Sequence, residues 1–236
     1  MRNDRPVALV TGASRGLGRA LSAELLWEGW RVVLDGRDGT RLARAVSEMP
    51  RRGAATAVPG DVASPVHRAR LVAAVREAGR LDLLVNNASA LGPSPLPRLA
   101  DLPLWELERV LAVNVVAPLA LMQLLAGRLE EAGGAVVNVS SDAAVEAYEG
   151  WGGYGASKAA LDQLSAVAAA EHPRLRVYAF DPGDMATDMH QRAFPGEDIS
   201  DRPAPETVVP ALLRLVRGEV PSGRYRAADL GAPVAA

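Results

Sequence analysis

Residues 6–18 read "PVALVTGASRGLG": a short apolar run is followed by a loop with glycines at positions 12, 16 and 18. An apolar run of this length that ends at a glycine is typical of a strand buried on both faces. Glycines at a strand-to-helix turn let the backbone bend tightly, and the next helix presents free N–H groups and its positive dipole end. The stretch predicts the first strand–helix unit of a doubly wound sheet with a pyrophosphate site, and an ordinary glycine-rich turn is the alternative.

The same alternation continues along the chain. Apolar, β-branched runs predict further strands, and longer amphipathic stretches predict helices between them. We therefore predict an α/β fold for residues 1–236: one Rossmann-type domain with a doubly wound parallel sheet of seven strands flanked by helices. The predicted strands are 6–12, 31–36, 54–60, 81–87, 134–140, 175–180 and 223–227, and the predicted helices are 17–29, 40–49, 65–78, 104–131, 155–171 and 205–217.

The overall composition excludes several classes of function. The 236 residues include no cysteine, which rules out disulfides, thiol catalysis and cysteine-ligated metals. The histidines at 67, 172 and 190 lack metal-ligand spacing, so no metal site is predicted. With a net charge of −2, nothing indicates a nucleic acid partner. The apolar stretch 115–122 is too short to span a membrane, and no signal peptide is visible, so we expect a cytoplasmic protein without a membrane partner.

The end of the second predicted strand bears on the choice of nucleotide. In NAD-binding folds, an acidic residue about 20 positions after the glycines binds the ribose 2′-hydroxyl. Gly36 takes that position here, Arg37 follows it, and Arg15 lies within the glycine loop. Two guanidinium groups near the ribose favour a 2′-phosphate and hence NADP(H). A shift of one residue would put Asp35 in the acidic position, which leaves NAD(H) open.

A tyrosine and a lysine four residues apart, Tyr154 and Lys158, stand in "GYGASKA" at 153–159. Alone, such a pair is more often two neighbours on a helix surface. The chain also carries, in order, "TGASRGLG", "GDV", "NNAS", "NVVAP", "NVSS", "YGASK" and "DPGDMAT". With these motifs the sequence resembles the short-chain dehydrogenase/reductase family over nearly its whole length.

The resemblance implies a role for each matching residue. Tyr154 would exchange a proton with the substrate oxygen, and Lys158 would lower the pKa of that tyrosine and bind the nicotinamide ribose. Ser141 would hydrogen-bond the substrate oxygen, and Asn114 would hold a proton-relaying water. The cofactor-binding residues implied are Gly12, Ser14, Arg15, Gly16, Leu17, Gly18, Arg37, Asp61, Val62, Asn87, Tyr154, Lys158, Met185 and Thr187.

The resemblance also implies a reaction and an assembly. We expect interconversion of a small carbonyl compound and an alcohol, in a homodimer or homotetramer formed through the helices at 104–131 and 155–171. A nucleotide-binding sensor or scaffold without turnover is the main alternative, and an epimerase or dehydratase is less compatible with the glycine spacing. Residues 142–153 and the polar loop 184–204 should contact the substrate. The family's usual "NNAG" ends here in Ser89, which would be strained if that position required a positive φ.

Overall fold

The computed structural model describes residues 5–230, in which all seven strands form a single sheet. The strand order is β3-β2-β1-β4-β5-β6-β7, and every neighbouring pair is parallel. The predicted fold class is confirmed, and each predicted strand ends within two residues of the observed one. The strands are β1 (Val7–Val10), β2 (Arg31–Gly36), β3 (Ala55–Pro59), β4 (Leu83–Asn86), β5 (Ala135–Val139), β6 (Arg176–Asp181) and β7 (Gly223–Arg226).

Helices cover both faces of this sheet. Alternate residues of each central strand point to opposite faces, so Val10 and Leu34 pack on one side while Leu9 and Val33 pack on the other. Helices α1, α2 and α8 cover the first face, and α3 and α5 cover the second. The helices are α1 (Gly16–Trp27), α2 (Gly39–Ser47), α3 (Pro65–Ala78), α4 (Leu104–Leu111), α5 (Ala117–Ala132), α6 (Gly152–Glu171), α7 (Asp188–Ala193), α8 (Val209–Arg217) and α9 (Ala227–Leu230).

The strand order determines where a ligand can bind. The chain builds β1, β2 and β3 outward in one direction and then returns to place β4 on the other side of β1. The crossover connections on the two sides of β1 therefore run over opposite faces of the sheet. Open α/β sheets bind ligands at such a point, outside the carboxyl ends of the strands. The loops that follow β1, β4, β5 and β6 all begin at this edge of the sheet.

Several helices depart from the sequence-based prediction: α8 begins at Val209 after a 3₁₀ turn at Pro205–Thr207, and α9 was not predicted. The stretch 104–131 contains a π-helical turn, Ala112–Val116, between α4 and α5. Helix α6 begins at Gly152, three residues earlier than predicted. The predicted loop 184–204 contains the short helix α7, whose N-terminus is capped by the Thr187 side chain accepting from the His190 N–H at 3.2 Å. A helix of six residues is too short to show helical periodicity in the sequence.

The segment Leu104–Ala132 is long and apolar enough to cross a membrane, with a mean hydropathy of 2.0, yet 44% of its most apolar window is buried inside the protein. A core helix of a soluble protein meets the same criterion. Several of its apolar side chains, including Leu104, Trp105 and Leu124, are exposed. The absence of a membrane partner therefore remains a prediction.

Candidate active site

The glycine loop packs directly against the end of β4. Gly12 and Gly16 have φ of +65° and +54°, a region that side-chain-bearing residues rarely adopt. A Cβ on Gly12 would lie 2.8 Å from the Ala88 Cα, and one on Gly18 would lie 2.7 Å from the Gly12 carbonyl oxygen. No side chain caps the N-terminus of α1, which follows the loop. Its first N–H groups are therefore available to an anion such as pyrophosphate.

Asn87 braces this loop from the end of β4. Its Nδ2 donates to the carbonyl oxygens of Thr11 at 2.9 Å and Gly12 at 3.1 Å. Both amide hydrogens are used in this way, so only the Oδ1 atom remains for the predicted contact with a cofactor.

A cleft of about 920 Å³ runs from this loop across the carboxyl end of the sheet. Most of the predicted site residues line it, with two exceptions. Gly18 lies beneath the loop and serves close packing instead, and Asn114 is fully buried behind the cleft wall. The predicted residues that line the cleft are Gly12, Ser14, Arg15, Gly16, Leu17, Arg37, Asp61, Val62, Asn87, Ser141, Tyr154, Lys158, Met185 and Thr187.

Asp35 lines the cleft beside Gly36 and Arg37, but both oxygens of its carboxylate are bound within the protein. Its side chain is 3% exposed, and its carboxylate lies 2.6 Å from the His67 Nε2. The other carboxylate oxygen accepts from the Gly12 N–H at 3.2 Å. Gly36 is the last residue of β2, as the sequence register assumed. The carboxylate that left NAD(H) open is thus occupied by partners inside the protein.

Four arginines line the cleft. Arg19 forms an ion pair with Glu48 at 2.9 Å, and the other three are Arg15, Arg37 and Arg41. Arg15 forms an ion pair with Asp188 of α7, and Arg41 lies 3.7 Å from the same carboxylate. Arg37 is exposed at the end of β2. The arrangement provides guanidinium groups for a phosphate, and together with the glycine loop it fits a nicotinamide dinucleotide.

Lys158 is buried at the centre of the cleft and is 1% exposed. Its Nζ donates to the Val139 carbonyl oxygen at 2.7 Å and lies 5.5 Å from the centroid of the Tyr154 ring. Burial lowers the pKa of Lys158 to about 8, against an opposing effect of the Asp162 carboxylate. Among the 26 lysine and arginine residues of the chain, Lys158 is the one lysine, which also singles it out in the sequence.

Tyr154 faces Lys158 from one turn earlier on α6 and is also buried. Burial raises its pKa to about 12, and the Asp142 and Asp181 carboxylates add to this increase. Hydrogen bonds with the hydroxyls of Ser89 and Ser141 act in the opposite direction. Tyr154 therefore keeps its proton at neutral pH, as a proton donor must.

Asn114 lies in the π-helical turn, and its side-chain amide is saturated. The Oδ1 atom accepts from the Ala90 N–H at 2.8 Å and from the Ser89 hydroxyl at 3.2 Å. The Nδ2 atom donates at 2.9 Å to both the Ala90 carbonyl oxygen and the Ser157 hydroxyl. An amide has two donor hydrogens and two acceptor lone pairs, all of which are used here. The predicted water could therefore bond only to the backbone of Asn114, and its side chain instead joins the loop after β4 to α6.

Ser141 follows β5 at the mouth of the cleft. Its hydroxyl donates to the Asp142 carboxylate at 2.9 Å and accepts from the Ala143 N–H at 3.2 Å. The one hydrogen of the Tyr148 hydroxyl is shared between the other oxygen of Asp142, at 3.0 Å, and the Glu146 carboxylate, at 2.8 Å. Tyr148 is thus an anchor of this loop.

Trp151, in contrast, forms a wall of the cleft. Its ring centroid lies 5.6 Å from that of Tyr154 and 5.8 Å from that of Phe194. Leu91, Met189 and Phe194 pack in the same apolar cluster. Both predicted substrate segments, 142–153 and 184–204, therefore contribute residues beside Tyr154.

Comparisons with known proteins agree with this geometry. The family model for short chain dehydrogenases matches residues 6–198. The sepiapterin reductase of Mus musculus is 36% identical over 201 residues, which cover 79% of this chain and 77% of that protein. The rhamnolipids biosynthesis 3-oxoacyl-[acyl-carrier-protein] reductase of Pseudomonas aeruginosa is 37% identical, over 70% of this chain and 66% of its own.

Solved structures agree as well. A short chain dehydrogenase from Shigella flexneri 2a strain 301, complexed with NADP, superimposes with a TM-score of 0.88 at 30% identity, over 96% of this chain and 98% of that one. Fold, family model and sequence relatives point to one group of enzymes. The chain belongs to the short chain dehydrogenase family, whose members are nicotinamide-dependent oxidoreductases.

Proposed function

We propose that this oxidoreductase reduces a ketone or aldehyde to an alcohol with NADPH, and runs the reverse oxidation, with Tyr154 as the proton donor and acceptor. The observation that carries the proposal is the burial of Tyr154, still protonated at neutral pH, beside Ser141 and Lys158 in a cleft that begins at a phosphate loop. When bound, the cofactor supplies the hydride. The protein supplies the proton and orients the carbonyl.

The three side chains have separable tasks in this proposal. The Tyr154 hydroxyl transfers its proton to the substrate oxygen as negative charge develops there. The Ser141 hydroxyl, at the cleft mouth, orients that oxygen. The Lys158 Nζ is fixed by the Val139 carbonyl oxygen, so its charge stays near the phenolic ring. A positive charge there favours the tyrosinate left after proton transfer.

The residues at the substrate end of the cleft favour a substrate that is largely apolar and carries no negative charge. Trp151 and Met189 provide apolar and aromatic surface in the cleft, and the Phe194 ring packs behind Trp151. The carboxylates of Asp142 and Asp184 line the same end. An anionic substrate would meet like charges, whereas an uncharged or cationic aromatic carbonyl compound would not.

NADPH is preferred over NADH in this proposal because of the charges at the ribose end. Arg15, Arg37 and Arg41 line the cleft near the end of β2, where we expect the 2′-phosphate, and the Asp35 carboxylate is bonded to His67. The NADP complex of the Shigella flexneri relative supports the same choice. NAD(H) would serve as a weaker cofactor, lacking the phosphate that the arginines bind.

The test is a panel of ketones, aldehydes and quinones, monitored by NADPH consumption. Tyr154→Phe should lower the rate on the best substrate by roughly 10²–10⁴-fold, because it removes general acid catalysis. Tyr225→Phe is the matched control, since Tyr225 lies on β7 and donates to Pro221. NADPH affinity should be unchanged in both variants. Near wild-type turnover in Tyr154→Phe would refute the assignment.

A sensor or scaffold that binds NADPH without turnover is the alternative. It predicts tight NADPH binding with no consumption on any member of the panel. The buried pair of Tyr154 and Lys158 argues against it, because a protein that only binds NADPH has no use for a proton donor at this position. Turnover on any carbonyl that depends on Tyr154 would exclude the alternative.

We further propose a homodimer or homotetramer assembled through α4, α5 and α6. The exposed side chains of Leu104, Trp105, Val116 and Leu124 form apolar surface on the first two of these helices and the turn between them. Isolated exposed apolar residues are ordinary, but a group on adjoining elements suits an interface. Leu124→Glu should shift the sedimentation coefficient toward that of a monomer, whereas an unchanged value would place the interface elsewhere.

A further inference from the structure

His67 lies on the first turn of α3 and is buried behind the wall of the cofactor cleft, with its side chain 4% exposed. Its Nε2 atom lies 2.6 Å from the Asp35 carboxylate. Its Nδ1 atom is also buried and has no hydrogen-bond partner in the part of the chain that the structure describes. A buried polar atom without a partner costs free energy, which the bond to Asp35 has to offset.

The carboxylate that His67 binds lines the cleft, whereas His67 itself does not. The second oxygen of Asp35 accepts from the Gly12 N–H in the phosphate loop at 3.2 Å. An ionised carboxylate has no proton to donate, so the proton between Asp35 and His67 belongs to the Nε2 atom. Without the imidazole, one carboxylate oxygen would lose its partner inside the protein. Because an unpaired buried charge is costly, the carboxylate would then turn toward the water in the cleft.

The end of β3 leaves room for the imidazole ring. A Cβ on Gly60, the residue after β3, would lie 2.2 Å from the His67 Nδ1, so a larger residue would collide with the ring in its present place. The Gly60 N–H donates to the Gly36 carbonyl oxygen at 3.1 Å, which ties this backbone to the end of β2. The ring is therefore held between Gly60 and Asp35.

We propose that His67 is a positioning residue for Asp35 that sets the choice of cofactor: its hydrogen bond keeps the carboxylate bound within the protein and unavailable to the ribose. The inference rests on the proposed preference for NADPH. NADPH and NADH differ only in the 2′-phosphate. A carboxylate released into the cleft would repel that phosphate, and it would accept a hydrogen bond from the 2′-hydroxyl of NADH. His67 thus favours NADPH without lining the cleft in which it binds.

The experiment measures the dissociation constants of NADPH and NADH by calorimetry, which needs no turnover. His67→Leu removes the hydrogen bond and should lower the preference for NADPH, taken as the ratio of the two constants, by about 10-fold, because two negative charges then face each other. Adding Asp35→Asn to the same protein should return the ratio to at least the wild-type value, since the repelling charge is gone.

The matched control is His172→Leu. His172 is also bonded to a carboxylate, that of Glu130 at 2.9 Å, but it lies between α6 and β6, at the opposite edge of the sheet from the cleft. This variant should keep the wild-type ratio.

Gly60→Ala disturbs the ring without removing it, and it decides the question if His67→Leu does not fold. Its methyl group would collide with the His67 Nδ1. The ring cannot move closer to Asp35, because that contact is already 2.6 Å, so the hydrogen bond has to lengthen. The preference for NADPH should therefore fall in this variant as well.

An unchanged ratio in folded His67→Leu would overturn the proposal, as would an unchanged ratio in Gly60→Ala if the first variant does not fold. Equal weakening of both cofactors, or no recovery with Asp35→Asn, would indicate general damage to the cleft and would also overturn it. Tighter binding of NADH by the wild-type protein would count against the proposed NADPH preference alone, because the role of His67 is measured by the change between variants.

Discussion

Replacing Lys158 with methionine should stabilise the protein at neutral pH. Burial lowers the pKa of this lysine from 10.5 to about 8. Since each pKa unit corresponds to about 1.4 kcal/mol, the folded state disfavours the ammonium form by roughly 3 kcal/mol. Methionine has a similar length and no charge, but it loses the hydrogen bond to the Val139 carbonyl oxygen, worth about 1 kcal/mol. The expected net gain in the free energy of unfolding at pH 7 is about 2 kcal/mol.

The gain should depend on pH in a defined direction. The folded-state pKa of about 8 lies below the value of 10.5 for an exposed lysine. Between these values the unfolded chain binds more protons than the folded chain, so wild-type stability rises with pH. The methionine variant lacks this contribution. Its advantage should therefore shrink by roughly 2–3 kcal/mol between about pH 7 and pH 10. Tyr154, with a pKa of about 12, stays protonated across this window in both proteins.

Urea unfolding at the two pH values measures the difference directly. Arg76→Lys is the control: it places a second lysine on the exposed surface of α3, where it should leave the pH dependence unchanged. A stability difference between wild type and Lys158→Met that is the same at both pH values would refute the reasoning. Because Lys158 is the one lysine, a sample labelled with ¹³C-lysine also has a single lysine spin system. A titration midpoint near 10.5 would contradict the low pKa.

Three further predictions concern the cofactor end and the substrate loop. Arg37→Ala should lower the NADPH-to-NADH ratio of kcat/KM by about 10-fold, because a hydrogen bond to a phosphate is lost, and an unchanged ratio would assign the discrimination to other residues. Gly18→Ala should lower the free energy of unfolding in urea by about 1–3 kcal/mol, because the new Cβ would collide with the Asn87 Nδ2. It should also weaken NADPH binding in a fluorescence titration. Wild-type values for both quantities would show that the loop adjusts. Residues 184–204 should gain hydrogen-exchange protection when NADPH and a substrate analogue bind, and equal protection in both states would argue against a closing lid.

Much of the fold was predictable because of where its strands lie. A strand covered by helices on both faces must be apolar almost throughout, as Val7–Val10 and Leu83–Asn86 nearly are, and such runs stand out in a sequence. The order of these runs along the chain then limits the topology, since strand–helix–strand connections are right-handed and short. Tyr154 and Lys158 were recognisable only together with the other motifs in order along the chain, because a pair one helical turn apart occurs on many helices.

Other parts of the site depend on contacts that spacing does not reveal. Asp35 and His67 are 32 residues apart and meet because α3 packs beside β2. The bond between Ser89 and Asn114 requires the loop after β4 to reach the π-helical turn, which no local pattern predicts. Ser89 departs from the family's usual glycine, but the sequence alone raises only the question of backbone strain at that position. Among residues 5–230 the one non-glycine residue with a positive φ is Arg51, so the serine is accommodated without that strain.

Because the chain has a single lysine, proteolysis at that residue can measure how often helix α6 opens. A protease that cleaves only after lysine has one bond to attack in the whole chain, between residues 158 and 159, and the Lys158 side chain that it must bind is buried on α6. Cleavage requires the helix to open, and it divides the chain into residues 1–158 and 159–236. When reclosing outpaces cleavage, the rate of nicking reports the population of the opened form. The rate at which the intact band disappears from a gel would therefore report how often the segment with Tyr154 and Lys158 unfolds. The same rate with a ligand bound would report how far the ligand suppresses that opening.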